Sequence, residues 1–166
     1  MSVTGRSQNL RVRRYQDADH DAVWALHHHA LEHVGAHAGA GPWDDDLHAV
    51  RRVYLEQHGE FVVGLLEDQL VAMGALRRTS AHRAEIKRMR VAPHVQGRGF
   101  GRLILNHLER RAKQLGYKHL HLDTTAGQVA AQALYRRHGY HEIGREQRDQ
   151  FELIFFEKRL TQHDDR

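Results

Sequence analysis

The chain has 166 residues, 40% hydrophobic and 28% charged, a balance that supports one domain with one real core. No apolar run approaches the roughly 18 residues of a membrane span, Met1 to Arg6 lack the apolar stretch of a signal peptide, and the absence of cysteine excludes disulfides, thiolate metal sites and a cysteine nucleophile. The formal charge of +4 is not gathered into a Lys/Arg run, which speaks against nucleic acid and for a small anionic ligand, in a protein whose expected address is cytoplasmic.

Residues 10–16 alternate apolar and polar positions and read as a strand. Asp17 and Asp19 then supply helix-start chemistry, and Val23, Leu26, Ala30 and Val34 follow at helical spacing. The chain carries 16 histidines, and His29, His33 and His37 fall four apart, on one helical face if the helix persists. A metal stripe and a solvated face both fit that spacing; no carboxylate repeats beside it, so the solvated face is the preferred reading and no metal is expected. Gly35 to Pro42 reads as a loop. A second helix is expected from Asp44–Asp46 through Leu47, Val50, Val53 and Tyr54 to about His58. Its three acids suit the positive end of a helix dipole, and they would also attract a cationic amine.

Residues 60–66 are rich in β-formers, Glu67-Asp68-Gln69 reads as a tight turn, and 70–76 return as the partner strand. Residues 84–92 alternate, placing Ile86, Arg88 and Arg90 on one side and Lys87, Met89 and Val91 on the other, until Pro93 closes the strand. A long helix over 99–115 buries Ile104, Leu108, Ala112 and Leu115 and stops at Gly116. His119 to Asp123 reads as a strand and Gln128 to His138 as a short helix stopped by Gly139. Two β segments follow, at about 141–148 and 151–159. No repeat, linker or low-complexity stretch divides the chain, so 1–166 reads as a single domain, a mixed sheet with helices on its faces.

Between the 84–92 strand and the long helix lies Gln96-Gly97-Arg98-Gly99-Phe100-Gly101-Arg102. Glycine admits positive φ and lets backbone approach a ligand closely. The first amides of a helix lack internal partners and carry the positive end of its dipole. Together these make a pyrophosphate cradle, with Arg98 and Arg102 adding charge at the rim and Gln96 free to tie the loop or bond a phosphate oxygen. The glycine spacing is not that of a dinucleotide fold, and the Gly-Lys-Ser/Thr of a Walker loop is absent.

This turn resembles the signature Gln/Arg-x-x-Gly-x-Gly/Ala of the GNAT superfamily of acyl-coenzyme A-dependent N-acyltransferases. The strand Ile86 to Val91 with Ala92-Pro93 resembles the family's central strand, and Ala131-Gln132-Ala133-Leu134-Tyr135-Arg136-Arg137-His138-Gly139-Tyr140 resembles its second motif. The resemblance implies an α/β (α+β) GNAT fold: a mixed, mostly antiparallel sheet of roughly six or seven strands, helices on both faces, and central strands splayed around the cofactor. It implies acetyl-coenzyme A as cosubstrate and no metal. Met89, Arg90 and Val91 would offer backbone to the pantetheine arm, the amide of Met89 or Val91 polarising the thioester carbonyl. The amides of Gly97 to Arg102 would hold the pyrophosphate. Gln128 falls where many members carry an asparagine against the pantetheine.

Tyr135 matches the tyrosine that reprotonates the leaving thiolate; otherwise it is a core aromatic. Glu85, eleven residues before Gln96, matches a glutamate that takes the amine proton in the superfamily's histone acetyltransferases. The other reading of Glu85 pairs it with Lys87 or Arg88. Asp123 either faces substrate or caps the following helix. The implied activity is direct transfer of an acetyl group to a primary amine of a small molecule or peptide. A non-catalytic acyl-coenzyme A sensor is the alternative from another class. Neither a membrane nor nucleic acid is expected as partner, and the resemblance leaves room for a homodimer paired through the last strands.

Overall fold

The computed structural model describes residues 9–35 and 41–161. Strand β1 (Arg11–Arg14) leads through a 3-10 turn, Asp17–Asp19, into helix α1 (His20–His33). A 3-10 segment (Pro42–His48) and a π-wound segment (Arg51–Leu55) precede β2 (Glu60–Leu66), β3 (Gln69–Arg78) and β4 (Arg83–Val91). Helix α2 (Phe100–Gln114), β5 (His119–Thr125), helix α3 (Val129–Arg137), β6 (His141–Arg148) and β7 (Phe151–Arg159) follow. The strands form one seven-stranded sheet in the order β1-β2-β3-β4-β5-β7-β6. Every neighbouring pair is antiparallel except β4 with β5.

The sheet is covered on both faces, and its central strands read accordingly. Val71 to Leu76 on β3 is a continuous buried run, as expected of a strand with no wet face. Helix α2 brings Phe100, Ile104, Leu105, Leu108 and Ala112 down at helical spacing onto β2, β3 and β4. Helix α1 closes the opposite face of β3 and β4 with Val23, Leu26, His27 and Ala30. It ends at His33. His37, the third member of the histidine stripe, lies outside the described residues, as does most of the loop expected after Gly35. Among the described residues no group of three or more His, Asp or Glu is placed to hold a metal ion.

Two local expectations are corrected. The second helix is not α-helical: 3-10 winding over Pro42–His48 gives way to π winding over Arg51–Leu55. The cause lies in its acids. Asp44 and Asp46 both turn inward to Arg88. Residues two apart sit about 160° apart around an α-helix but about 120° apart around a 3-10 helix. The tighter winding therefore brings the two carboxylates nearer to one partner.

The second correction is in β4. Its pairing with β3 jumps from Ala75↔Lys87 to Met73↔Arg90, so Arg88 and Met89 together oppose Gly74. Arg88 has φ 59°, in the left-handed region. This is a β-bulge, and it resets the alternation. Glu85, Lys87, Arg88 and Arg90 share the α1 face, whereas Ile86, Met89 and Val91 turn toward α2. Gly74 has to be glycine beneath the bulge. A Cβ there would lie 2.6 Å from Ile104 Cγ2 and 2.7 Å from Met89 Sδ.

Candidate active site

The site begins where two strands part. β4 and β5 pair only at Arg83↔His119, Ala84↔Leu120 and Glu85↔His121. Beyond Glu85, β4 stays with β3 while β5 continues with β7, so the facing edges open into a cleft. Ala92 N–H donates to Val71 on β3 at 2.8 Å. The alternation of an antiparallel ladder then turns the amides of Val91 and Met89 to the open edge. The Val91 carbonyl on that edge accepts from Gln96 Nε2 at 3.2 Å, so the side chain of Gln96 ties the turn to the strand rather than reaching into solvent.

At the wide end of the cleft stands the N-terminus of α2. The 3-10 turn Pro93–Val95 reverses the chain, and Gly97 and Gly99 follow at φ 80° and 82°. Space is not their constraint, since a Cβ on either would meet nothing within 4 Å; the backbone angle is. Gly101 is different: a Cβ there would come 3.2 Å from Leu134 Cδ2 of α3. The first amide accepted within the helix is that of Leu103, by Gly99. The amides of Phe100, Gly101 and Arg102 precede it with no backbone acceptor among the described residues, beside an exposed turn. This is the anion-binding geometry of a helix start, and it suits a pyrophosphate.

The narrow end of the cleft is a cavity of about 220 Å³ with a charged floor. Arg88 is held there by Asp46 at 2.5 and 3.0 Å, Asp44 at 3.2 Å and the Trp43 carbonyl at 2.6 Å. Tyr54 donates its hydroxyl to Asp46. Burial opposes the charges on Arg88 and Asp46, but their mutual bonds outweigh it, so the pKa of Arg88 is raised and that of Asp46 lowered. Asp44 also accepts from His27 Nε2 at 2.9 Å, and His27 Nδ1 takes the Arg90 Nε–H at 3.3 Å. With one ring nitrogen accepting and the other donating, His27 is neutral. Sequence reading missed this cluster, because its links other than Tyr54 to Asp46 span 17 to 63 residues.

The remaining candidates line the same cavity. Tyr135 is 4% exposed, packed edge-on against Tyr140, and burial pushes its phenol up to about 12. Glu85 lies across the floor with Lys87 Nζ at 3.9 Å, and Arg88 is occupied elsewhere. Asp123 is exposed to the cavity and caps nothing: the N-cap of α3 is Gln128. Gln128 Oε1 collects bonds from the Thr124 hydroxyl, the Thr125 hydroxyl and the Thr125 amide. Its carbonyl oxygen therefore fastens the end of β5 and only its amide end remains for a ligand.

The neutral His27 gives a pH signature. Burial first, then Arg90 and Arg88, hold its pKa at about 4, against 6.5 for an ordinary imidazole. The unfolded chain binds the extra proton between those values, so stability is complete above pH 6.5 and is lost as pH falls toward 4. From pH 7 to pH 5 the loss from this group is about 2 kcal/mol. Urea unfolding at the two values should show it in the wild type, and His27→Gln, which retains a donor for Asp44, should lose that part of the slope. Equal slopes would mean that the ring is charged in the fold.

An open strand edge with an anion cradle at one end and ionisable groups at the other suits a long cosubstrate with a phosphorylated tail and a reactive head. That is the layout of a coenzyme-dependent group transferase. The chain belongs to the acetyltransferase (GNAT) family, whose sequence pattern matches residues 16–140. Its fold is similar to that of a GNAT-family acetyltransferase from Staphylococcus aureus Mu50, with TM-score 0.84 at 18% identity over 92% of this chain and 100% of that one. It is also similar to yncA of Salmonella typhimurium, solved with its cofactor acetyl-CoA, with TM-score 0.77 at 18% identity over 93% and 95%. In sequence it is 37% identical over 75 residues to the uncharacterised N-acetyltransferase YedL of Escherichia coli K12, covering 44% of this chain and 47% of that protein. The chain spans about half the length of the curated relatives it matches.

Proposed function

We propose that the protein transfers an acetyl group from acetyl-coenzyme A to a primary amine of a small molecule or peptide by direct attack. The observation that carries this is the parting of β4 from β5 after Glu85, with the start of α2 at the mouth of the gap. The amides of Gly97 to Arg102, with Arg98 and Arg102 beside them, would hold the pyrophosphate. The open-edge amides of Met89 and Val91 would take the pantetheine and the thioester carbonyl. yncA, which shares the fold, was solved with acetyl-CoA, and that supports the same cosubstrate here.

Glu85 would accept the amine proton, through a water if the distance requires it, because an ammonium has no lone pair to attack a carbonyl. The amine nitrogen then bonds to the thioester carbon. An amide of Met89 or Val91 donates to the oxygen that gains charge, and the C–S bond breaks. Tyr135 supplies the proton taken up by the leaving thiolate. A phenol held at about 12 remains protonated throughout the neutral range, the state that a proton donor requires. A cytoplasmic location, expected from the composition, and pairing of two chains through β6 and β7, which rests on the family resemblance, are further parts of this proposal.

The test uses calorimetry with coenzyme A and Gly101→Glu. A side chain there would crowd Leu134 and Val91, and its carboxylate would add negative charge in the first turn of α2, whose amides are meant for phosphate. Affinity should fall at least about tenfold, since like charge in a binding site costs several kcal/mol. The circular dichroism spectrum should keep its wild-type form. Unchanged affinity would remove the cradle assignment. Thiol release in the presence of an amine panel separates a transferase from a silent coenzyme A sensor.

A further inference from the structure

Among the described residues, no carboxylate meets the charge of Arg90 on the cavity floor directly. A guanidinium has five N–H donors. Arg90 Nε donates to His27 Nδ1 at 3.3 Å and Nη1 to its neighbour's carbonyl, Met89 O, at 2.7 Å. Both acceptors are neutral. The nearest acid on that side, Asp44, already serves His27 and Arg88. No carboxylate among the described residues forms an ion pair with Arg90, and Nη2 has no protein acceptor among them. Burial, then the charge on Arg88, holds the pKa of Arg90 down to about 10, the direction of a cation that lacks its counter-ion.

The cavity that Arg90 lines has acids on its other sides. Asp123 comes from β5, across the gap from β4, and no cation pairs with it among the described residues. Glu85 stands at the closed end of the gap, where among the described residues its ion pair is the distant Lys87 contact, and its charge also acts on His121. The cavity thus presents an unmet guanidinium and two acids with little or no pairing of their own. A planar guanidinium with a free edge matches a carboxylate in shape and in donor spacing.

We propose that the acceptor is an amine that also carries a carboxylate, an amino acid or a peptide with a free carboxyl near its amine, and that Arg90 binds that carboxylate while Asp123 and Glu85 face the ammonium. The inference rests on the acetyltransferase reading above. In it, the amides of Met89 and Val91 serve the cosubstrate, while Arg90, expected from the family resemblance to offer backbone there, turns its backbone to Met73 on β3 and its side chain to the acceptor. The transfer itself is unchanged: N–C forms, C–S breaks, and the amine proton leaves to Glu85.

The test measures acetyl transfer to the standard amino acids and to their α-carboxamides, with acetyl-coenzyme A in excess, in the wild type, Arg90→Lys and Arg90→Gln. The wild type should turn over the best acid with kcat/KM at least about tenfold above its own amide. Arg90→Gln should lower the acid's kcat/KM by about thirtyfold or more, the scale of one removed partner of a desolvated charge pair. It should lower the amide's by less than about threefold on the same scale. Arg90→Lys should recover part of the preference, and coenzyme A affinity should stay within about twofold in both variants. Amides turned over as well as acids would overturn the proposal, with no variant required. An equal loss for acid and amide in Arg90→Gln would overturn it too, placing Arg90 at the thioester oxygen. Bound coenzyme A with no acid acetylated would reject the acceptor class, whereas no coenzyme A affinity at all would reject the transferase reading beneath it.

Discussion

Replacing Tyr135 by phenylalanine should lower kcat by about 10²–10⁴-fold, the range that positioned proton donors supply, and should leave KM for both substrates nearly unchanged. The ring is already committed to packing: Tyr135 meets Tyr140 at 5.8 Å and Phe156 at 6.1 Å between centroids and is 4% exposed. Phenylalanine keeps those contacts. The hydroxyl makes no hydrogen bond to the protein among the described residues, so removing it strands no buried partner and melting should move little. Steady-state kinetics with acetyl-coenzyme A, read with a thermal melt, separates the cases. A wild-type kcat in Tyr135→Phe would remove the tyrosine from the chemistry and leave it as core. In the wild type, rates should show no alkaline fall assignable to this phenol below about pH 10, because its pKa is pushed up to about 12.

The other large effect is structural. Arg88→Met should destabilise the fold by about 3–5 kcal/mol at pH 7, since it removes the cation from two buried carboxylates. Asp44 is 4% exposed, and the side chains of Asp44 and Asp46 are 6% and 15% exposed against 11% for Arg88. Such a loss is a large share of the 5–15 kcal/mol that typically holds a domain together. The deficit should shrink toward about pH 5. With the arginine present, Asp46 sits below its ordinary pKa and contributes stability above it. Without the arginine, burial dominates and raises that pKa, so protonation relieves the variant as pH falls. Denaturant titration at both pH values checks this. Arg88→Met with Asp46→Leu should be more stable than Arg88→Met alone, because one stranded charge goes. A neutral single variant would show that the pair adds nothing to the fold.

How far the residues announced this arrangement depends on how local each cause is. The turn at Gln96 to Arg102 was legible because positive φ and helix start are local: Gly97 and Gly99 have positive φ and α2 starts at Phe100. The succession of strands along the chain followed from runs such as 60–66 and from the tight turn after it. The β4 bulge was not legible. Strict alternation through Lys87-Arg88-Met89-Arg90 is the default for a strand, and the insertion depends on Gly74, which sits on the neighbouring strand and admits Met89 beneath it. Asp44–Asp46 likewise read as a helix start, because the arginine that draws two of those acids inward lies more than forty residues away. Gln128 illustrates a third kind of gap. Its extra methylene was visible, but that its oxygen would be spent on Thr124 and Thr125 was not. His27 stood in a run of three histidines with nothing local to mark it as the buried one.

The brief union of β4 and β5 has a consequence for how stability is measured. The half-sheet β1-β2-β3-β4 and the half-sheet β5-β7-β6 pair with each other only at Arg83–Glu85, so beyond Glu85 the edge of β4 that faces β5 has no strand partner. Whatever lies in the gap completes a ladder that the polypeptide leaves unfinished. A ligand bound there only in the folded state adds RT ln(1 + [L]/Kd), about 2.7 kcal/mol at a hundred times Kd. The melting point of the chain alone is then a lower bound, and under the proposed function coenzyme A should raise it in proportion to the logarithm of its concentration.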